Sequence, residues 1–208
     1  MTEISRYRAP AVLVYPLLID PLLRPLRPKI VALCRELEMR SVLDIGSETG
    51  IQCRLLARAG FDVTGLDLSP GMVALARRRA GGPRYVEGSA LHLPFEDGTF
   101  DAGVLLLALH EHPEEERRIM LREALRVIKA RGWLLLADYC LPARPRLHLP
   151  WAAIRGIEAI AGTAHSKGFR YFMRRGGLDG LVTRHGLVPL RRRRSHFGTI
   201  EVVAVRCP

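Results

Sequence analysis

The sequence predicts a three-layer α/β fold around a mostly parallel sheet, and three observations point there. Short apolar runs at 42–45, 62–67, 84–87, 101–108 and 133–137 alternate with stretches of helical periodicity. Within the fourth run, Val104-Leu105-Leu106-Leu107 is continuous rather than alternating, the pattern of a strand covered on both faces. The first two runs also frame a βαβ unit, in which Val42-Leu43-Asp44-Ile45 breaks into Gly46-Ser47-Glu48-Thr49-Gly50 and Val63-Thr64-Gly65-Leu66 ends in Asp67, 23 positions after Asp44. A glycine at the first turn lets the backbone reverse without a Cβ clash and lets a ligand approach closely.

Residues 1–40 interleave prolines and arginines with Val12, Leu13, Val14, Leu17, Leu18, Ile19, Leu22, Leu23 and Leu26, which predicts short amphipathic helices broken at each proline. Such a flap either covers the core or lays its apolar face on a membrane, with residues 1–30 meeting anionic lipid. The helix Ile51 to Ala59 carries Ile51, Leu55, Leu56 and Ala59 on one side, and Gly60 is placed to end it. Ser69-Pro70 supplies an N-cap and a first-turn proline for a helix through Met72, Val73, Leu75 and Ala76, closed by Arg77 to Arg79 where cations suit the helix dipole.

Asp97-Gly98 marks the turn into strand four. Pro113 and the acids Glu114 to Glu116 open a helix expected to continue through Ile119, Leu125 and Ile128 to Gly132, ahead of strand five at Trp133 to Ala137. Beyond Pro142 the alternation stops, and 141–180 reads as a helical insertion over the ligand crevice. The segment 187–206 reads as a C-terminal hairpin of two strands.

At 208 residues, 48% hydrophobic and 25% charged, a single domain with its own core is expected. The net charge of +11, mainly arginine, makes RNA, anionic lipid and acidic metabolites electrostatically favoured neighbours. Cys34, Cys53, Cys140 and Cys207 form no C-x-x-C pair, which argues against a zinc site or a disulfide framework and makes a reducing, cytoplasmic setting the default. Prolines and charges interrupt the N-terminal apolar stretch too often for a signal peptide or a spanning helix.

The glycine turn narrows the ligand. Gly46, Glu48 and Ile51 occupy the positions of G-x-G-x-x-G, so two of three glycines are missing and a carboxylate sits where a pyrophosphate would have to approach. No phosphate-binding G-x-x-x-x-G-K-[ST] loop occurs either.

Four blocks in order carry a family resemblance: Val42-Leu43-Asp44-Ile45-Gly46 with Gly50; Gly65-Leu66-Asp67-Leu68-Ser69-Pro70-Gly71-Met72; Leu93-Pro94-Phe95-Glu96-Asp97-Gly98-Thr99-Phe100-Asp101; and Glu123-Ala124-Leu125-Arg126-Val127-Ile128-Lys129 leading to Gly132-Trp133-Leu134-Leu135-Leu136. Together they resemble the class I S-adenosylmethionine-dependent methyltransferases, in particular the branch that includes the ubiquinone and menaquinone biosynthesis enzymes. The resemblance implies a Rossmann-like, seven-stranded sheet with an antiparallel last strand and a cofactor-binding core over 41–139. It also implies S-adenosyl-L-methionine as cofactor, with S-adenosyl-L-homocysteine as product.

By the same resemblance, Gly46 lies against the methionine portion of the cofactor, Asp44 positions its amino group, Asp67 holds the ribose hydroxyls and Leu68 packs on adenine. Ser47, Gly50, Met72, Ser89, Ala90 and Leu107 complete the implied site. Asp44 and Asp67 have the alternative of capping a helix or a turn. Glu48 stands where the family has its second glycine, and Ser89 where many members have an aspartate. A serine hydroxyl still accepts a hydrogen bond.

The implied activity is methyl transfer to a small apolar or amphiphilic acceptor such as a quinone precursor or a lipid headgroup. His110, just after strand four at the edge where such folds place reacting groups, is the candidate base or substrate-orienting residue. His110-Glu111-His112 also suits a metal ion or a cap on the next helix, but no third ligand stands at a recognisable spacing. His165, Tyr171 and Arg174 are candidate pocket walls, or core in the case of the aromatics. Two alternatives remain: an RNA methyltransferase whose Arg191 to Arg194 run, beside His196 and Phe197, tracks phosphate, and a catalytically silent homologue, suggested by Glu48 and Ser89. Against the first, the stretch after strand four reads Leu107-Ala108-Leu109-His110 in place of an Asn/Asp-Pro-Pro-Tyr motif, and the Arg191 to Arg194 run also reads as a solvated strand end.

Overall fold

The computed structural model describes residues 20–21, 23–78, 82–141 and 163–208, the side chains of 163–165 excepted. Seven strands form one sheet: β1 (Ser41–Ile45), β2 (Asp62–Asp67), β3 (Arg84–Glu87), β4 (Phe100–Leu106), β5 (Ile128–Tyr139), β6 (Pro189–Ser195) and β7 (Ile200–Arg206). Their spatial order is β3-β2-β1-β4-β5-β7-β6, with β1 to β5 parallel and β7 antiparallel to both β5 and β6. The chain therefore reverses its walk across the sheet between β1 and β4, and that switch point opens a crevice at the carboxyl ends of the strands.

Among the described residues six helices accompany the sheet: α1 (Arg27–Glu36), α2 (Ile51–Arg58), α3 (Pro70–Arg78), α4 (Glu114–Val127), α5 (Thr163–Arg174) and α6 (Gly177–Arg184). The central strands are buried on both faces. Val104, Leu134, Leu135 and Leu136 are fully covered, as the unbroken apolar runs require. Strands β2 and β3 begin and end where the periodicity places them, and Ser69 caps α3 with its hydroxyl toward the amide of Met72 (3.4 Å).

Other boundaries differ from expectation. Helix α4 stops at Val127 rather than Gly132, because Ile128 turns directly to extended backbone and pairs with Phe100, so that β5 starts there instead of at Trp133. The irregularity that follows, with Arg131 at φ +60° and a register shift between Phe100 and Ala102, folds the Ile128 side chain over Gly103 and Gly132. A Cβ on Gly132 would lie 2.7 Å from the Asp101 carbonyl oxygen, so the glycine marks the close crossing of this bulge, not a helix end. Strand β4 ends at Leu106 and not Ala108, because Leu107 takes a left-handed φ of +52° and starts a new turn.

Of the N-terminal flap, α1 and the turn before it cover the core: Leu23, Leu26, Ile30 and Leu33 have no exposed surface. Those residues are thus unavailable to lipid, and 1–19 and 22 lie outside the described residues. No helix among the described residues is long and apolar enough to cross a membrane. Of the expected insertion, 142–162 also lies outside the described residues, while α5 and α6 pack against the turn after β4 and against β5. The C-terminal hairpin is present as β6 and β7.

Asp101 joins the start of β4 to that of β1. Its carboxylate accepts hydrogen bonds from the amides of Arg40 (3.0 Å) and Ser41 (2.9 Å) and from Lys129 Nζ (2.8 Å). Partial burial pulls this carboxyl upward, but the bonds from Lys129, Ser41 and Arg40 outweigh it and hold it down at about 2. A carboxylate with a depressed native pKa contributes stability that is complete above its ordinary value and lost as pH falls toward the native one. Thermal melts of wild type and Asp101→Asn should therefore differ at pH 6, wild type being the more stable, and converge between about pH 4 and pH 2.

Candidate functional site

The site is built at the carboxyl ends of β1, β2, β4 and β5. After β1 the amides of Gly46 and Ser47 both donate to the Leu66 carbonyl (2.8 and 2.9 Å), fastening the turn to the end of β2. Gly46, Glu48 and Gly50 all have left-handed φ, at +77°, +51° and +70°. Gly50 is doubly constrained, since a Cβ there would sit 2.4 Å from the Tyr85 hydroxyl. At Gly46 the Cβ position has, among the described residues, only Ala108 nearby, at 3.8 Å, so the missing side chain leaves room for a close approach. Glu48 occupies a position that favours glycine, and its amide donates to Asp67 Oδ2 (2.7 Å).

The two predicted carboxylates stand at adjacent strand tips. Asp67 accepts from the Ser69 amide (2.8 Å) as well as from Glu48, so the turn-acid reading is correct for it; a carboxylate nevertheless has about four acceptor positions, and two remain for ligand hydroxyls. Burial raises its pKa, opposed by those two amides, and the charge of nearby Glu111 adds to the rise. Asp44 is 1% exposed and accepts from the Cys53 thiol (3.1 Å). Burial pushes its carboxyl up to about 6, against the Cys53 hydrogen bond and the charge of Arg27. No anion cradle lies here; a buried carboxylate held this high suits a ligand that brings a positive charge.

Other predicted positions surround the pair. The Ser47 hydroxyl is buried with no hydrogen-bond partner, which leaves a polar group for a ligand to satisfy. Leu68 is half-buried just past Asp67, Met72 is buried in the first turn of α3, and Leu107 is buried at its strained turn. Ser89 and Ala90 lie beyond β3, where the Gly88 amide donates to the Asp67 carbonyl (3.0 Å); the Ser89 hydroxyl accepts from the Leu91 amide (3.1 Å) and so shapes its own turn. Sequence reasoning missed the support beneath the glycine turn. Thr49 donates to Asp20 (3.1 Å to Oδ2), and Asp20 in turn pairs with buried Arg27 (2.6 Å). The three lie far apart in the chain, and only their burial marks them.

On the acceptor side, His110 sits in a 3-10 turn, Leu109–Glu111, at the end of β4. It is buried against Tyr139, Phe169 and Phe172, with ring centroids 4.8, 6.2 and 6.4 Å away. Its Nδ1 lies 2.9 Å from Asp138 Oδ1, and its amide donates to Asp138 Oδ2 (3.1 Å). Neither Asp138 nor the two phenylalanines stood out in the sequence.

His112 faces away, its Nδ1 2.7 Å from Glu116, so the H-x-H pair does not converge. Among the described residues, no group of three or more His, Cys, Asp and Glu side chains converges as a metal site would require. Tyr171 and Arg174 are exposed and therefore not pocket walls, Tyr171 lying against the Arg117 and Arg175 guanidinium groups instead. The His165 side chain is outside the described residues.

The arginine run does not form an open anion track. Arg191 and Arg193 pair with Glu36 on one face of β6, while Arg192 and Arg194 pair with Glu201 on the other, Arg192 also reaching Asp179. A paired edge-strand stripe of this kind discourages edge-to-edge association and leaves little free charge for phosphate.

Comparison with known proteins agrees with this geometry. Residues 43–136 match the family described as a methyltransferase domain. A demethylmenaquinone methyltransferase of Thermotoga maritima is 35% identical over 122 residues, which cover 58% of this chain and 52% of that protein. The chain thus spans about half the length of the curated relatives it matches. Among solved structures, a SAM-dependent methyltransferase from Aquifex aeolicus superposes with a TM-score of 0.58 at 17% identity, covering 85% of this chain and 88% of that one. Magnesium protoporphyrin IX methyltransferase from Synechocystis PCC 6803, with bound SAH, gives 0.61 at 19% identity, covering 88% and 82%. Both share the fold.

The raised Asp44 pKa has a measurable consequence in ligand-free protein. The native state holds this proton more tightly than the unfolded chain, so wild-type stability falls as pH rises from about 4 through about 6. Asp44→Asn removes that burden and should melt at a higher temperature than wild type at pH 8, by an amount equivalent to about 1–3 kcal/mol, with the gap closing as pH drops toward 4. Differential scanning calorimetry across that range checks it.

Proposed function

We propose that the chain, whose residues 43–136 match the methyltransferase domain family, transfers a methyl group from S-adenosyl-L-methionine to a small, apolar or amphiphilic acceptor of quinone-precursor type. The observation that carries this reading is the pair of buried carboxylates at adjacent strand tips around a glycine turn without an anion cradle. The cofactor has no phosphate, a positively charged sulfonium and amino group at one end, and vicinal ribose hydroxyls in the middle. Asp44 offers the amino group a counter-charge, the unsatisfied Ser47 hydroxyl a polar contact, and Gly46 the clearance to approach the backbone. Asp67 holds the ribose hydroxyls on its two remaining acceptor positions, and Leu68 and Met72 give the adenine an apolar bed.

When bound, the cofactor supplies an electrophilic methyl group in a displacement that asks the protein chiefly for alignment and a dry site. The chain's own contribution is to position the acceptor and accept its proton. We assign that role to His110, which sits at the end of β4 packed against Tyr139, Phe169 and Phe172. The Thermotoga relative's name, demethylmenaquinone methyltransferase, supports an aromatic acceptor of the quinone class. Glu48 does not argue for a silent homologue, because it takes the left-handed turn and makes the Asp67 bond through its backbone.

Calorimetric titration tests the cofactor half of this reading. S-adenosyl-L-methionine and S-adenosyl-L-homocysteine should bind with micromolar affinity, about −8 kcal/mol, whereas NADH should not bind. Asp67→Ala, which removes the ribose acceptor and releases the Glu48 turn, should weaken both by at least about tenfold, one such factor being about 1.4 kcal/mol. Failure of folded protein to bind either ligand would overturn the reading.

A further inference from the structure

We propose that Asp138 is a positioning residue that fixes the tautomer of His110, and that the pair takes the proton of an acceptor bearing an acidic hydroxyl on a planar aromatic ring. This rests on the methyl-transfer reading above and deepens it, because it names the proton acceptor's partner and the acceptor chemistry the site favours.

Asp138 is wholly buried near the end of β5, and Oδ1 lies 2.9 Å from His110 Nδ1. A carboxylate only accepts hydrogen bonds, so the contact requires the proton on Nδ1 and leaves the lone pair of the neutral ring on Nε2. The backbone amides of His110 (3.1 Å to Oδ2) and Tyr139 (2.8 Å to Oδ1) also donate to Asp138. These two amides fill part of the carboxylate's acceptor capacity, and the imidazole takes a further position. A buried pair of this kind adds little to stability compared with apolar residues of the same volume; its use is to set direction.

The nitrogen left to take a proton, Nε2, is itself buried. Nε2 lies on the side of Glu111, 3.9 Å from Oε1, and Glu111 is close enough for its charge to act on Asp67. Among the described residues the ring also meets Tyr139 from β5, and Phe169 and Phe172 from α5. The charged groups near it among the described residues are Asp138 from β5, Glu111 on its own turn and Arg117 from α4. Arg117 is fully buried and donates to the carbonyls of Leu109 (2.7 Å) and His110 (3.3 Å), with a longer contact to Gly168 on α5 (3.5 Å). A Cβ on Gly168 would lie 2.8 Å from the Glu111 carbonyl oxygen, so α5 packs backbone to backbone against the turn. The imidazole is thereby held at both its ring and its main chain.

The step balances without any further reagent. Nε2 takes the hydroxyl proton; the electron pair left on the oxygen, or on a ring carbon conjugated with it, forms the bond to the methyl carbon while the carbon–sulfur bond breaks and its pair returns to sulfur. Attack from carbon then releases that carbon's own hydrogen as a proton. The imidazolium is stabilised by Asp138 until its proton passes to water. An acceptor nitrogen that is already neutral would gain little from this pair, so the site favours hydroxylated rings over amines.

Long-range proton–nitrogen NMR of the histidine rings in the full-length protein reads the tautomer directly, with His110→Gln identifying the signal among the seven histidines. At pH 7–8 His110 should be the Nδ1–H form in wild type and should lose that preference in Asp138→Asn. In parallel, S-adenosyl-L-homocysteine release is followed with a soluble naphthohydroquinone and with an aromatic amine of similar size. Asp138→Asn and His110→Gln should each lower kcat on the hydroquinone by about 10²–10⁴-fold and abolish the rise of kcat with pH, with calorimetric cofactor affinity within about twofold of wild type. An Nε2–H tautomer in wild type overturns the proposal even if Asp138→Asn does not fold. So does an unchanged kcat and pH profile in a folded variant, or an equal preference for the amine. Loss of cofactor binding by wild type would instead sink the methyl-transfer reading, leaving the tautomer result to stand separately.

Discussion

The carboxylate of Asp67 is the joint on which the crevice depends. It accepts the amide of Glu48 from the turn after β1 and the amide of Ser69 from the turn after β2, so one side chain ties the loop at the switch point of the sheet to the loop beside it. The Leu66 carbonyl, one residue earlier, takes the amides of Gly46 and Ser47. Three backbone donors of the left-handed turn after β1, and one from the turn after β2, thus converge on the last two residues of β2. Each such donor, buried without a partner, costs about 1–3 kcal/mol. The turn holds its shape because β2 is there to receive it, and β2 in turn is held by parallel pairing with β1 from Ser41 to Ile45.

Around this joint the molecule carries features that work against its own stability. Asp44 is buried with a thiol as its near partner, Glu48 and Leu107 hold left-handed backbone, and the Ser47 hydroxyl is unsatisfied. Left-handed backbone at a residue other than glycine costs roughly 1–3 kcal/mol each and persists only where surrounding contacts determine it. Here those contacts are identifiable: Asp67 for Glu48, and the Ala137 carbonyl, 2.7 Å from the Leu107 amide, for Leu107. The rest of the core offsets these costs through ordinary apolar burial in β4, β5 and β7. Their coincidence at the strand tips is what supports the proposed ligand site there.

The turn proposed to hold the cofactor could be read in the sequence because it is local. Asp44, Gly46, Ser47 and Gly50 lie within one turn, and Asp67 follows at the end of the next strand, so the pattern of strand, glycine turn, helix and acid contains the geometry. The end of α4 was misplaced for the opposite reason: Gly132 looks like a helix terminator, but its small size serves a close crossing with Asp101 and Ile128 that only tertiary packing creates. Tyr171 and Phe172 are neighbours in sequence with opposite fates, one exposed and one in the core, and helical periodicity alone does not say which face of α5 meets the sheet. Thr49, Asp20 and Arg27 were invisible for the same reason.

The pairing of His110 with Asp138 was equally out of reach of motif reading, yet it follows from the register of two strands. β4 and β5 pair in parallel with Leu106 opposite Ala137, so Leu107 and Asp138 emerge side by side at the crevice. Were the chain to continue extended, His110 would lie about 10 Å beyond Leu107, at some 3.3 Å per residue. The left-handed Leu107 instead folds it into a 3-10 turn, and the rise per residue falls to about 2 Å. That contraction returns the amide and ring of His110 to the carboxylate of the residue beside Leu107. A one-residue slip of β5 against β4 would exchange Asp138 for Ala137 or Tyr139 and invert every side chain on the strand. The strand pairing that holds this register from Ala102 to Leu106 therefore also determines which residue orients the histidine.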